Sequence, residues 1–217
     1  MARKWAVLVV AVVVLACGAL AMLSPAPLTR DEPRSLPFEL ADYRSAKSGW
    51  DIDDEGRIHA WVEHLCLTDV TPAMVSWFYR HLPISTLRYR GTQYPLYHFF
   101  HPTEHGRLRV VEPATDGTVG MGLGALIERE EWFDEFDSKG AARIVEYSDA
   151  GFLAIPQAMG LTIGEVRHQF YPDNGGTRYR VDTIIGSRLP LVGPALNWYL
   201  RTQVFHPQML AQWQRHQ

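Results

Sequence analysis

An uninterrupted run of uncharged, mainly apolar residues, 5–23, constrains this chain more than any other feature, and it directly follows Arg3 and Lys4. A helix needs about 20 such residues to cross the hydrocarbon layer of a bilayer. Positive charge ahead of a span holds the N-terminus in the cytoplasm. We therefore predict a single-pass membrane protein, with its anchor in residues 1–24 and its remaining chain on the extracytoplasmic side.

Two processed forms compete with this uncleaved anchor. Ala19-Leu20-Ala21 is a small-x-small site, and cleavage after it would give a secreted protein. The residues that end at Cys17 are lipobox-like, and cleavage there would give a lipoprotein. The apolar run continues past Cys17 and exceeds the length of a typical signal, which favours the uncleaved anchor.

The remaining chain divides into a tether and one domain. Residues 25–37 combine several prolines with mixed charges and show no periodicity, which is typical of a semi-extended tether. Residues 38–217 form the predicted folded domain. Since 47% of the 217 residues are hydrophobic, the chain is long enough for one domain with a real core and an internal cavity.

The charge balance excludes one class of partner. The chain has 21 basic and 24 acidic side chains and a net charge of −3, so it lacks the concentrated positive field that nucleic-acid binding needs. We expect no nucleic-acid partner. Of the two cysteines, Cys17 lies inside the apolar run, so we expect no disulfide with Cys66.

Periodicity and turn residues predict an α+β domain. Thr71-Pro72 predicts a helix start, and the C-terminal stretch 194–217 predicts a long or kinked helix that restarts at Pro207. Alternation and turn residues predict a hairpin over 50–60 and strands at 107–110, 121–127, 143–147, 165–171 and 177–185. Sequential strands with a closing helix describe a curved antiparallel sheet around a C-terminal helix, which can enclose a ligand cavity.

The densest cluster of chemically active side chains is the segment from Tyr94 to Gly106, which contains His98, His101 and His105. In a short helical turn begun by Pro102, His101 and His105 would share one face, so that two imidazoles could approach one metal. Histidines near aromatic residues are also common as packing groups, so spacing alone leaves both interpretations open.

The HPTEH segment, His101 to His105, resembles the H-P-x-D/N-H motif of diacetylphloroglucinol (DAPG) hydrolase-like proteins. Further features follow in the family's order over about residues 60–215, among them an upstream aromatic helix, a strand ending in glutamate, a His-bearing strand pair and a His-bearing terminal helix. The resemblance implies a helix-grip fold related to START and Bet v 1 proteins. It also implies a zinc site of two histidines and two glutamates, which hydrolyses a carbon–carbon bond between an acyl group and a phenolic ring.

Carried over by position, the resemblance assigns His101 and His206 as zinc ligands. A strand glutamate is the next ligand, and the candidates are Glu128, Glu130 and Glu131. Alternation places Glu128 and Glu130 on the face opposite Glu131, and we prefer Glu130, with Glu128 in reserve. The chain departs from the family at the fourth ligand, because Leu210 occupies the glutamate position of the H-x-x-x-E pattern. His216 is close to the end of the chain and is not predicted to replace it.

The resemblance also implies polar groups around the metal that contact the substrate. These candidate catalytic residues are His168 on the His-bearing strand, Tyr94 before the histidine segment, Tyr179 after the Gly-Gly turn and Glu104 within the motif. A strand histidine or tyrosine is more often a half-buried packing residue, so each role remains an expectation.

Two functions follow. The first is a membrane-tethered, zinc-dependent hydrolase of a small hydrophobic acylated compound, phenolic or polyketide-like, which acts by hydrolytic C–C cleavage. The alternative is a non-catalytic, membrane-tethered protein that binds a lipid or other hydrophobic ligand in the same cavity. The sequence predicts neither the substrate's identity nor the oligomeric state.

Overall fold

A computed structural model describes residues 27–34, 42–158, 161–190 and 192–216 of the chain. The predicted anchor and the expected start of the domain near Phe38 lie outside these ranges. Within them, no helix has both the length and the apolar character that a membrane crossing requires.

The described residues form one large antiparallel sheet and a separate hairpin. The strands are β1 Lys47–Ile52, β2 Ile58–Glu63, β3 Leu67–Thr68, β4 Thr86–Tyr89, β5 Thr92–Pro95, β6 His105–Glu112, β7 Leu126–Phe133, β8 Phe136–Ser148, β9 Gly151–Ala158, β10 Leu161–Thr162, β11 Gly164–Asp173 and β12 Gly176–Ile185. The large sheet has the order β1-β2-β12-β11-β9-β8-β7-β6, with β3 beside β12 and β10 beside β9, and β4 pairs only with β5.

Four α-helices accompany the sheet in the described part of the chain. They are α1 Pro72–His81, α2 Leu96–Phe100, α3 Gly193–Tyr199 and α4 Pro207–His216, with a 3-10 turn at Tyr43–Ser45. A π-helical turn, Leu200–Val204, extends α3, and the chain then bends before Pro207. Proline has no N–H with which to continue the preceding helix, which explains the bend. The predicted kink in the C-terminal helix is therefore confirmed.

Helix α1 begins where the sequence predicts. The Thr71 hydroxyl accepts a hydrogen bond from the Met74 amide at 3.3 Å, and Pro72 supplies a first-turn φ that suits a helix. Val75 and Tyr79 are buried on the inner face, whereas Trp77 is exposed. This amphipathic pattern packs α1 against β11.

The strand expected at 121–127 is wrong in its first half. Strand β7 begins only at Leu126, and residues 118–125 form turns and bends. Gly120 and Gly124 have φ values of 91° and 82°, which extended strands do not adopt. A Cβ at Gly120 would collide with the carbonyl oxygen of Arg80. The glycine alternation therefore marks a tight loop beside α1.

One central strand was not predicted. Strand β9 lies between β8 and β11, and its residues Phe152, Leu153 and Ala154 are all buried. A strand that is buried as a continuous apolar run does not show the alternation of apolar and polar residues by which a half-buried strand is predicted.

The C-terminal helix closes the sheet. Helix α4 contacts β1 and β2 at one end of the strand order and β7 near the other end. Its Leu210 is buried against Ile58 and Ala60 of β2. A sheet whose two ends meet one helix must curve, so this α+β architecture of a large antiparallel sheet with a C-terminal helix fits the predicted helix-grip class.

The described part of the predicted tether, residues 27–34, lies against the domain. The Leu28 amide and the Arg30 guanidinium both bond to the carboxylate of Asp137 in β8, at 2.8 and 2.7 Å. Arg34 donates to the backbone carbonyl of His105 at 2.9 Å. This segment therefore contacts the backbone of HPTEH directly.

Candidate functional site

The inner face of the curved sheet encloses a cavity of about 780 Å³. Its apolar lining includes Leu82, Phe100, Ile127, Phe133, Ile144 and Phe152. This volume is typical of sites that hold a small organic ligand. Two polar clusters adjoin the same space, and they differ in composition.

The first group, called the histidine–carboxylate cluster, consists of His101, Glu104, His105, Glu131 and His216. His105 is the first residue of β6, and the sheet register pairs it with Glu131 of β7. A register shift follows at Gly106, where a Cβ would crowd the Glu130 carbonyl oxygen. This bulge turns the strand end so that both side chains face inward.

The hydrogen bonds of His105 determine which ring nitrogen is free. Its Nδ1 lies 2.8 Å from the Tyr97 carbonyl oxygen, which can only accept, so Nδ1 carries the proton. The Nε2 atom then has a lone pair, and it lies 3.9 Å from Glu131 Oε2. Burial, with the nearby charge of His216, lowers the pKa of His105 well below its ordinary value, so this ring is neutral at pH 7.

His216, in the last turn of α4, has a similar arrangement. Its Nδ1 lies 2.8 Å from Glu104 Oε2, and its Nε2 lies 3.9 Å from Glu131 Oε2. Because the Glu104 carboxylate accepts a hydrogen bond from the Nδ1–H group, the Nε2 lone pair faces Glu131. Burial lowers the pKa of His216 although Glu104 opposes that shift.

Glu104 is a buried carboxylate with several donors. Its Oε1 accepts from the Asp134 amide at 3.0 Å and from Arg215 at 2.9 Å. Burial alone would raise the pKa of this carboxyl, but the bonds from His216 and the Asp134 amide outweigh it and lower the pKa to about 2. Glu104 therefore stays ionised and holds His216 in position.

Three atoms converge on one point. One ring nitrogen each of His105 and His216 and a Glu131 carboxylate oxygen lie within 4.8 Å of one another, and the two Nε2 atoms are each 3.9 Å from Glu131 Oε2. Ligand atoms on a tetrahedral zinc ion with bonds of about 2.0 Å are about 3.3 Å apart, so modest side-chain rotations would suffice. Two neutral imidazoles and one carboxylate, with the other ring nitrogens already bonded to the protein, fit a zinc ion with an open fourth position.

A second trio, His101, Glu104 and His216, is less suited to metal. The Glu104 amide donates to His101 Nδ1 at 3.2 Å, so in the neutral ring Nε2 carries the proton. That Nε2 lies 3.7 Å from Glu104 Oε2. Burial lowers the pKa of His101 to about 4, which keeps the ring neutral in this orientation.

Two groups other than the histidines contact the Glu131 carboxylate as donors. The Tyr97 hydroxyl donates to Glu131 Oε2 at 2.9 Å, and the Tyr97 ring stacks on His105 with centroids 3.8 Å apart. The Arg129 guanidinium forms an ion pair with Glu131 Oε1. Both residues line the cavity, so this end of the cluster is open to a ligand.

The structure separates the other predicted zinc ligands from this cluster. Glu128 pairs with Arg109 and Glu130 with Lys139, on the face of β7 opposite Glu131. His206 precedes α4, where its ring contacts Phe136 at 5.1 Å and accepts from the Met209 amide at 3.5 Å. It lines the cavity but makes no contact with the cluster.

The second group, called the hydroxyl cluster, consists of Tyr79, His168 and Tyr179. The Tyr179 hydroxyl lies 2.6 Å from His168 Nδ1 and 2.5 Å from the Tyr79 hydroxyl. Burial raises the pKa of both tyrosines, so both keep their protons. Burial also lowers the pKa of His168 to about 3, so its ring is neutral at pH 7.

Of the predicted catalytic residues, His168 and Tyr179 thus meet in one cluster and Glu104 belongs to the other. Tyr94 is half-buried in β5, within the separate β4–β5 hairpin. Among the residues of the two clusters, Glu131 was a candidate that ranked behind Glu130 and Glu128, and no role was predicted for His216, Tyr79, Tyr97 or Arg129. Alternation along β7 could have indicated Glu131 and Arg129, which share one face with the apolar Ile127.

Comparisons with known proteins give a structural likeness only. No family model matches the chain, and no curated protein matches it. The chain is similar to protein Ms6760 from Mycobacterium smegmatis, with 16% identity, a TM-score of 0.44 and coverage of 77% of this chain and 93% of that one.

Two further solved structures resemble it. Ara h 8.0201 is 13% identical, with a TM-score of 0.38 and coverage of 73% of this chain and 95% of that one. Protein NE0264 from Nitrosomonas europaea is 12% identical, with a TM-score of 0.39 and coverage of 75% and 94%. Membership of the DAPG hydrolase-like family remains a prediction from the HPTEH segment.

Proposed function

We propose that this protein is a zinc-dependent hydrolase of a small hydrophobic acylated compound. The observation that carries the proposal is the convergence of two imidazole lone pairs, His105 Nε2 and His216 Nε2, on Glu131 Oε2 at 3.9 Å each. His105 and Glu131 line the cavity, so a substrate inside it would lie beside them.

The residues of the histidine–carboxylate cluster would hold the ion and keep its ligands in position. Glu104 and the Tyr97 carbonyl fix the ring orientations of His216 and His105. A zinc ion there would polarise an acyl carbonyl and lower the pKa of bound water.

The hydroxyl cluster would supply the proton that the leaving ring carbon takes up. Tyr79 and His168 line the cavity, and Tyr179 bonds to both. Because the tyrosines stay protonated, Tyr79 or Tyr179 is a suitable general acid for the ring carbon that leaves when an acyl–aryl bond is cleaved. The neutral His168 would accept a hydrogen bond from Tyr179 and keep that hydroxyl in position. The proton that the attacking water gives up on adding to the acyl carbon would return to the tyrosinate, so that the cycle balances.

The cavity itself favours a second candidate function. Its volume and apolar lining are also what a non-catalytic carrier of a hydrophobic molecule needs. We propose that in either case the protein works while tethered to a membrane by residues 5–23, facing the extracytoplasmic side.

Metal content separates the two candidates. The purified full-length protein should hold about one zinc ion per chain, and His216→Ala should remove it. The matched control is His206→Ala, from the same end of the chain, which should retain the metal. Zinc-loaded protein should also release acetate from an acetylated phloroglucinol, measured by chromatography. Protein that holds no zinc and still binds an apolar dye would be a carrier instead.

A further inference from the structure

Arg129 is a cationic side chain on the inner face of β7 that the proposed reaction does not use. It lines the cavity together with Ile127 and Glu131 of the same strand. Its side chain retains 42% of its accessible surface, because the guanidinium faces the cavity interior. A charge in that position sets which molecules the cavity can hold.

One edge of the Arg129 guanidinium has no hydrogen-bond partner among the described residues. Nη1 contacts Glu131 Oε1 and lies 3.2 Å from the Ser138 hydroxyl. Toward the rest of the described residues, Nε and Nη2 make no hydrogen bond. These two nitrogens form the planar fork of an arginine that matches a two-oxygen anion.

The other acidic side chains that line the cavity are already engaged. Asp137 bonds to Arg30 and to the Leu28 amide, and Glu135 accepts from Gln208 at 2.6 Å. Glu131 also accepts the Tyr97 hydroxyl on its second oxygen. Among the described residues, therefore, no second carboxylate covers the Nε–Nη2 edge of Arg129.

A second polar group in the cavity also lacks a protein partner. The Thr183 hydroxyl on β12 is buried, with 8% of the residue exposed, and it has no hydrogen bond to any described residue. Thr183 lines the same cavity as Arg129, with β11, β9 and β8 between their strands. A buried hydroxyl without a partner is costly, so the interior suits a ligand with polar groups on an apolar body.

We propose that the cavity selects amphipathic anions, which place an apolar body in the cavity and a carboxylate or phenolate oxygen on the Nε–Nη2 edge of Arg129. The proposal deepens the proposed function, because it defines the substrate class of the same cavity, and in that respect rests on it. A neutral isostere would leave that edge of the guanidinium unpaired.

The test compares two dyes with one skeleton, 8-anilinonaphthalene-1-sulfonate and the uncharged N-phenyl-1-naphthylamine. Full-length, chelator-treated protein is titrated by fluorescence, with protein-free buffer as the blank. For each protein, we take the ratio of the affinity for the sulfonate dye to the affinity for the neutral dye. This ratio should be about tenfold higher in the wild type than in Arg129→Gln, as expected for a charge-assisted hydrogen bond. Arg129→Lys, which keeps the charge but loses the fork, should fall between them.

Arg109→Gln is the matched control, because Arg109 lies on the outer face of β6 and pairs with Glu128. It should leave the dye preference unchanged. Displacement by decanoate or by pentafluorophenolate then distinguishes a carboxylate ligand from a phenolate one. Equal changes in Arg129→Gln and Arg109→Gln, or displacement by neither anion, would overturn the proposal.

The experiment remains informative in two further cases. If Arg129→Gln does not fold, circular dichroism shows it, and the Arg129→Lys comparison decides. No turnover or zinc is involved, so a protein that fails to hydrolyse anything can still show the anion preference. Conversely, a wild type without the anion preference could still hold zinc, so the two proposals can fail separately.

Discussion

The histidine–carboxylate cluster and the hydroxyl cluster adjoin one cavity but differ in charge. The first contains two carboxylates, and the imidazoles of His105 and His216 direct lone pairs at one of them. The second contains no carboxylate, and its His168 bonds to the Tyr179 hydroxyl and stacks on the rings of Phe152 and Tyr179. His105, His216 and His168 are therefore all neutral, but the first two face a carboxylate and the third faces a phenol hydroxyl.

The comparison shows that burial alone does not define a metal site. Burial lowers the pKa of His105, His168 and His216 alike. Only the first cluster adds a carboxylate to compensate a divalent charge, which a buried cation requires. A bound metal is expected in the first cluster and proton transfer in the second.

The largest expected effect is on zinc affinity, and it should differ between residues on the two faces of β7. Glu131→Gln removes the carboxylate on which both imidazoles converge and should weaken zinc binding by at least about a hundredfold. Glu130→Gln, the adjacent outward-facing residue, should leave zinc affinity unchanged, as should His168→Gln. Competition with a colorimetric chelator measures all three. Equal weakening in His168→Gln would break the distinction between the clusters.

A smaller effect concerns stability without metal. Glu104→Ala leaves His216 Nδ1 and the Asp134 amide without their acceptor and should lower the free energy of unfolding by about 3 kcal/mol. Tyr179→Phe removes one neutral hydroxyl and should cost about 1 kcal/mol. Urea unfolding of chelator-treated protein gives both values. Glu135→Ala, at an exposed carboxylate in the adjacent turn, should stay within about 0.5 kcal/mol of wild type.

The third effect is a dependence of stability on pH, and it is small for any single pH step. The pKa of His168 is about 3 in the fold against 6.5 in the unfolded chain, so below pH 6.5 only the unfolded chain takes up this proton. The stability from this group is complete above pH 6.5 and declines toward pH 3, by at most about 1.4 kcal/mol per pH unit.

His168→Gln should therefore flatten the dependence of the unfolding free energy on pH between 6.5 and 4. Tyr179→Phe keeps the buried imidazole and should keep the slope, because burial is the main cause of the lowered pKa. An unchanged slope in His168→Gln would show that this ring is protonated in the fold.

The sheet and its closing helix could be predicted because turns and alternation are local properties. Thr71-Pro72 marked α1, and the strands β11 and β12 followed from alternation around a Gly-Gly turn. Strand β9 could not be predicted in this way, since it is buried on both sides of its alternation. The loop at Gly120 was misread because its backbone conformation depends on close contact with α1.

The site was less predictable because it depends on register and on contacts between distant segments. The sequence identified the HPTEH segment, but the choice of Glu131 depends on its pairing with His105 across two strands. His216 was set aside because of its position in the chain, whereas the bend before Pro207 turns α4 so that its last turn reaches Glu104. Leu210 instead packs on β2.

The bond between Glu104 and His216 joins residues that are 112 positions apart. Closing so long a loop is entropically costly in the unfolded chain, and a shared ion at His105, Glu131 and His216 would act as a reversible cross-link across it. Since α4 also contacts β1 and β2, that cross-link would hold the helix over the cavity. Metal occupancy would then set the residence time of whatever the cavity contains, as well as the chemistry done to it.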